Sequence, residues 1–86
     1  MSTVMRAKFR VTKVERFDGM DRIICNAVAR SGSYPADGSD EDNTYARFSP
    51  NGELTLDIAN PALLGKIEPG QKYYLDFTKV EDDKPA

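Results

Sequence analysis

The sequence predicts a mainly β fold: a small five-stranded antiparallel sheet, curled or partly closed into a barrel, with one short helix (about 61–67) before the last strand. Three observations carry this expectation. Apolar and polar residues alternate at period two in several stretches. The turn dipeptides Asp18-Gly19 and Asn51-Gly52 stand between such stretches. Helix signals are confined to one short run with a capping residue, Asn60-Pro61. With 86 residues in all, a single β-rich domain over 1–80 is expected, followed by an acidic frayed tail over 81–86.

The elements follow in chain order. In "VMRAKFRVTKVERF" the apolar residues Met5, Ala7, Phe9 and Val11 fall on one side of an extended strand. Asp18-Gly19 then closes a hairpin, expected as a type I′ turn. A turn there sets Glu15 opposite Arg22, Arg16 opposite Asp21, Phe17 opposite Met20 and Phe9 opposite Val28, so charge and apolar pairs emerge from one register. Residues 31–43, "SGSYPADGSDEDN", read as a long exposed acidic loop. A second hairpin is expected in "TYARFSPNGELTLDI", with Ser49–Gly52 as a bulged turn, Gly52 in the left-handed region, and Phe48 facing Leu54. "NPALLGKI" reads as a helix too short to stand alone, placing Leu63, Leu64 and Ile67 for burial on the sheet. The last strand, "KYYLDFTKV", carries Tyr73, Leu75 and Phe77 on one face.

Composition narrows the function. Hydrophobic residues make up 40% and charged residues 30% of the chain, the balance of a folded soluble domain. No run of about 20 apolar residues would cross a bilayer, so no membrane partner is expected. The chain has no histidine, which removes the commonest general base and zinc ligand, and its single cysteine, Cys25, lies in the apolar stretch "IICNAV". Neither a phosphate-cradling glycine loop nor an EF-hand pattern is present, and the acidic loop residues Asp37, Asp40, Glu41 and Asp42 read as a solvated surface. The expectation is a non-enzyme with no catalytic residues, no cofactor and no metal, in a reducing, intracellular setting. The net charge of −2 hides an asymmetry. Residues 1–35 carry seven cations against three anions, a net +4, and residues 36–86 carry five against eleven, a net −6.

Two resemblances bear on this reading. At "LLGKIEPGQKYYLDF" the chain resembles the helix–turn–strand element of oligonucleotide-binding (OB) domains in single-stranded-DNA-binding proteins, with Gly70 at the turn and Tyr73 and Leu75 at the inward strand positions. That resemblance implies an OB-like barrel, although four strands precede this element here where an OB domain usually has three. Across "MRAKFRVTKVE", "FSPNGELTL", the Asn-Pro-Ala run and "PGQKYYLDFT", the chain is similar to small uncharacterised proteins of tailed bacteriophages. This implies a place in the cytoplasm of an infected bacterial host, or in the virion, without implying an activity.

The candidate site is the outward side of the sheet. If Phe9 faces the core, Arg6, Lys8 and Arg10 face solvent, joined by Tyr45 and Arg47 of the expected third strand and by Tyr74 of the last. Cations beside exposed aromatic rings are what single-strand binders use: phosphates meet Lys and Arg, and bases stack on rings for about 1–3 kcal/mol each. The same pattern also arises on any antiparallel sheet that keeps one face wet, and Asp57 and Asp76 on that face would repel phosphate. The expected function is a phage accessory protein that binds single-stranded nucleic acid through these six residues. The alternative is a protein-interaction module, either a capsid-associated virion component or a binder of a host protein, engaging its partner by charge or by an exposed strand edge.

Overall fold

The computed structural model describes residues 3–81, and the expected tail lies outside them apart from Glu81. The protein is mainly β. Four strands, β1 (Thr3–Phe17), β2 (Met20–Ala27), β3 (Glu53–Ile58) and β4 (Lys72–Thr78), form one open antiparallel sheet in the order β3-β2-β1-β4. It is 16 Å across its thinnest dimension, so it is close to a single layer and not a barrel.

The first hairpin forms as the sequence predicts near its turn: Glu15 pairs with Arg22, Arg16 with Asp21 and Phe17 with Met20. Gly19 takes a positive φ of 77° while Asp18 does not, so the turn has type II signs instead of type I′. Between Val11 and Lys13 the register slips by one, and Phe9 meets Ala27 where Val28 was expected. Thr12 is the extra residue. Its hydroxyl donates to the Ile24 carbonyl at 3.0 Å and lies 2.9 Å from Asn26 Oδ1, which fixes the bulge.

The second hairpin does not form. Residues 44–48 are turn and loop, so the expected third strand is absent and β3 pairs with β2. Gly52 is not in the left-handed region; Phe48 is, at φ 57°. The loop is used elsewhere. β2 ends at Ala27, which would leave the flank of β1 at Arg6 and Lys8 bare. Val28 N–H donates to Lys8 O, Asn43 Oδ1 accepts from Lys8 N–H at 2.8 Å, and Thr44 exchanges bonds with both backbone groups of Arg6. Asn43 is fully buried and Asp40 nearly so, hence the acidic loop is pinned to the sheet at this end.

The expected helix is a single 3-10 turn, Pro61–Leu63, with Asn60 as the predicted cap accepting from Ala62 N–H. It ends at Leu64, whose backbone is extended, and Gly65, at φ 78°, completes the turn that follows. Ile67 packs on the core as expected, whereas Leu63 is exposed. The β3–β4 connection is held to the hairpin by Asp21, which accepts from Gly65 N–H at 2.8 Å and pairs with Arg16 at 2.7 Å. The core, Ala7, Phe9, Val11, Ile23 and Cys25, lies on the inner face and is small.

Candidate functional site

Alternation along β1 and β4 brings four of the six sequence-predicted residues together. Arg6, Lys8 and Arg10 stand on the outer face, opposite Asp76, Tyr74 and Lys72 respectively. The Arg6 guanidinium makes a two-pronged contact with Asp76, at 2.6 and 3.0 Å, and lies 4.3 Å above the Tyr74 ring. Lys8 Nζ donates to Asp42 at 2.7 Å, and the Tyr74 hydroxyl donates to the other oxygen of the same carboxylate. The hydrogen bond from Lys8 holds Asp42 below the usual carboxylate range, and the Arg6 contact does the same for Asp76. The bond to Asp42 also pushes the Tyr74 phenol up.

Two of the three cations are thus already neutralised by carboxylates. Arg10 is different: it is exposed, it forms no ion pair among the described residues, and its neighbour Lys72 is unpaired as well. The remaining two predicted residues are elsewhere. The Tyr45 hydroxyl and the Phe9 ring both lie over Gly52 on the inner side, and burial pushes the Tyr45 phenol up. Arg47 donates to the Asp37 carbonyl at 2.9 Å within the loop. Both were placed by a strand that does not form.

Sequence reasoning missed Asp40 and Asn43 as organising residues. Asp40 accepts from the Asp42 and Asn43 amides, an Asx-type pattern that "SDEDN" is able to signal. Burial pushes the Asp40 carboxyl up, but donors from Asn43, Asp42 and Arg30 outweigh it and hold the group below its ordinary value.

A second surface is the rim at β4. Of its seven residues only Leu75 is half-buried, and among the described residues no strand pairs with its outer side. Tyr73 and Phe77, on the inner face, remain 40% and 51% exposed. The strand has no proline and no bulge within 73–77, two of the devices that ordinarily blunt an edge, and its charged side chains are Lys72 and Asp76.

Chemistry is sparse. Among the described residues no three His, Cys, Asp or Glu side chains are grouped to hold a metal ion. Cys25 is buried, which pushes its thiol up and away from the reactive thiolate. No described helix is long and apolar enough to cross a membrane. No family model, curated protein or solved structure matches the chain, so the resemblances to phage and OB proteins rest on the quoted residues alone.

Proposed function

We propose that the chain is a non-enzymatic protein-interaction module that takes a partner strand onto the β4 edge. The observation that carries this is the bare, aromatic seven-residue strand at the rim of a thin sheet. Main-chain bonds along such an edge supply affinity, and alternate side chains supply specificity. In the phage setting that the sequence resembles, the module serves as a virion component or a binder of a host protein. Capture with the tagged chain and a Tyr74→Pro variant, run in parallel, tests it. A partner held by the wild type and lost by the variant supports the reading; equal retention by both overturns it.

Nucleic-acid binding is the second reading, and one observation favours it: Arg10 and Lys72 lie side by side, next to Tyr74, without a carboxylate partner among the described residues. It is a smaller site than the sequence predicts, without Tyr45 and Arg47 and with Arg6 and Lys8 already paired. Two phosphate contacts give a slope of about −1.4 in log K against log salt. Binding of a fluorescent oligonucleotide at about 20 mM salt, abolished by Arg10→Glu, would support it; no binding there removes it.

A further inference from the structure

We propose that the strand taken up by β4 is the β4 of a second copy of this chain, joined antiparallel about a two-fold axis through Leu75 to make one continuous sheet. This rests on the reading of β4 as a docking edge and goes beyond it by naming the occupant.

Backbone direction decides which groups are available. Val11 N–H donates to Gln71 O and Gly70 N–H donates to Val11 O, so Val11 turns its groups toward the β4 side. Arg6 and Lys8 turn theirs the opposite way, to Thr44, Asn43 and Val28. These orientations alternate along an antiparallel ladder. Ala7–Leu75 and Phe9–Tyr73 are therefore the pairs that exchange hydrogen bonds, and Lys72, Tyr74, Asp76 and Thr78 direct N–H and C=O outward.

A two-fold axis at Leu75 sets Tyr74 opposite the partner's Asp76 and Lys72 opposite the partner's Thr78. Outward-facing residues meet outward-facing residues, so every outward backbone group of the strand is satisfied. The same register sets Leu75 against the partner's Leu75 and Tyr73 against the partner's Phe77, in the pairs where side chains approach most closely. Those contacts cover the Tyr73 and Phe77 rings, which one copy leaves exposed on the inner face of β4. No like charges stand directly opposite. The other rim behaves differently. Ala27 N–H donates to Gly52 O, so the alternation points Glu53, Thr55 and Asp57 outward, and self-pairing about Thr55 would set Glu53 against the partner's Asp57. Association through β4 alone is isologous and closes at two copies.

A one-strand seam is smaller than the standard interface of about 1,600 Å², so a reversible dimer is expected to form between about 10 µM and 1 mM. Sedimentation equilibrium on the full chain reads it directly. Amide hydrogen exchange on the wild type reads the seam: Tyr74 and Asp76 exchange fast when dilute and slow as the dimer forms, while Leu75 stays protected throughout. Leu75→Cys is expected to give a disulfide-linked dimer under mild oxidation, with the wild type and its buried Cys25 as control; linkage through Tyr74→Cys instead would overturn the register. Tyr74→Pro, which deletes one outward N–H, abolishes the dimer, and Phe77→Lys does so with the backbone intact should the proline variant fail to fold. A chain still monomeric at about 1 mM, or a dimer whose Tyr74 and Asp76 amides stay fast, overturns the proposal. If that monomer captures another protein and loses it on Tyr74→Pro, self-pairing alone fails and strand docking survives; if capture is unchanged by Tyr74→Pro, both fail.

Discussion

The flank of β1 at Arg6 and Lys8 and the rim of β4 pose the same physical problem, a row of backbone donors and acceptors without a strand beside it. The chain answers it twice, differently. At β1 the loop sends in Asn43 and Thr44, whose side chains bond the backbone a strand would have bonded. At β4 nothing among the described residues does so. The contrast separates internal closure, which stabilises the fold, from an open edge, which is available to a partner. It also predicts that damage at the two places has different readouts.

The largest effect belongs to the closed flank. Asn43→Ala removes the acceptor for Lys8 N–H and the donor to Val28 O, in a position with 0% exposure. Each buried group left unpaired costs about 1–3 kcal/mol, so a loss of about 3–5 kcal/mol is expected, a large part of the stability of so small a domain. Thermal or urea unfolding measures it. Tyr74→Pro at the open edge should leave the midpoint closer to wild type, since Tyr74 N–H points away from β1 and the side-chain contacts it also removes, to Asp42 and Arg6, are exposed. Equal destabilisation by both variants would erase the distinction.

Acid gives the next effect, again at the closed flank. The carboxylates of Asp40 and Asp42 lie below their ordinary range in the folded chain. Such groups bind protons more readily when unfolded, so their contribution is present above the unfolded pKa of about 3.9 and is lost as pH falls through the native value. Unfolding midpoints are therefore expected to drop steeply below about pH 4. Asp40→Asn should be less stable at neutral pH and show a shallower acid dependence, read from paired melts at the two pH values. A parallel fall in wild type and variant would mean that other carboxylates govern the acid response.

Legibility in the sequence followed the range of the interactions. The hairpin around Gly19 was readable because turn, charge pairs and apolar pairs lie within a few residues and agree. The inward row Tyr73, Leu75 and Phe77 was readable from period two alone, and the register confirms that it faces Phe9, Ala7 and Met5. Thr12 was not readable as a bulge, since its hydroxyl acts on a carbonyl twelve residues away. The second hairpin was misread because local Asx-turn bonds and the vacant β1 flank claim Asn43 and Thr44 first. That error carried Tyr45 and Arg47 onto the wrong surface. The pairs Arg6–Asp76 and Lys8–Asp42 span 70 and 34 residues, so a cation's exposure could be inferred from its strand while its neutralisation could not.

The smallest effect on folding, and the sharpest test of why two rims differ, is Glu53→Lys. The side chain is exposed and makes no ion pair among the described residues, so stability is expected to change by less than about 0.5 kcal/mol. Association should change instead. In self-pairing about Thr55 the new lysine faces the partner's Asp57, a carboxylate that its own Arg22 holds at 2.7 Å, so a like-charge pair softened by Arg22 becomes an attractive one. With β3 and β4 both able to pair, dimers link end to end and growth no longer closes. Light scattering at about 1 mM is expected to show species larger than a dimer, and adding Tyr74→Pro should cut them back to pairs joined through β3 alone. If Glu53→Lys instead behaves as the wild type does, charge is not what keeps β3 closed, and the twist or shortness of that six-residue strand must be.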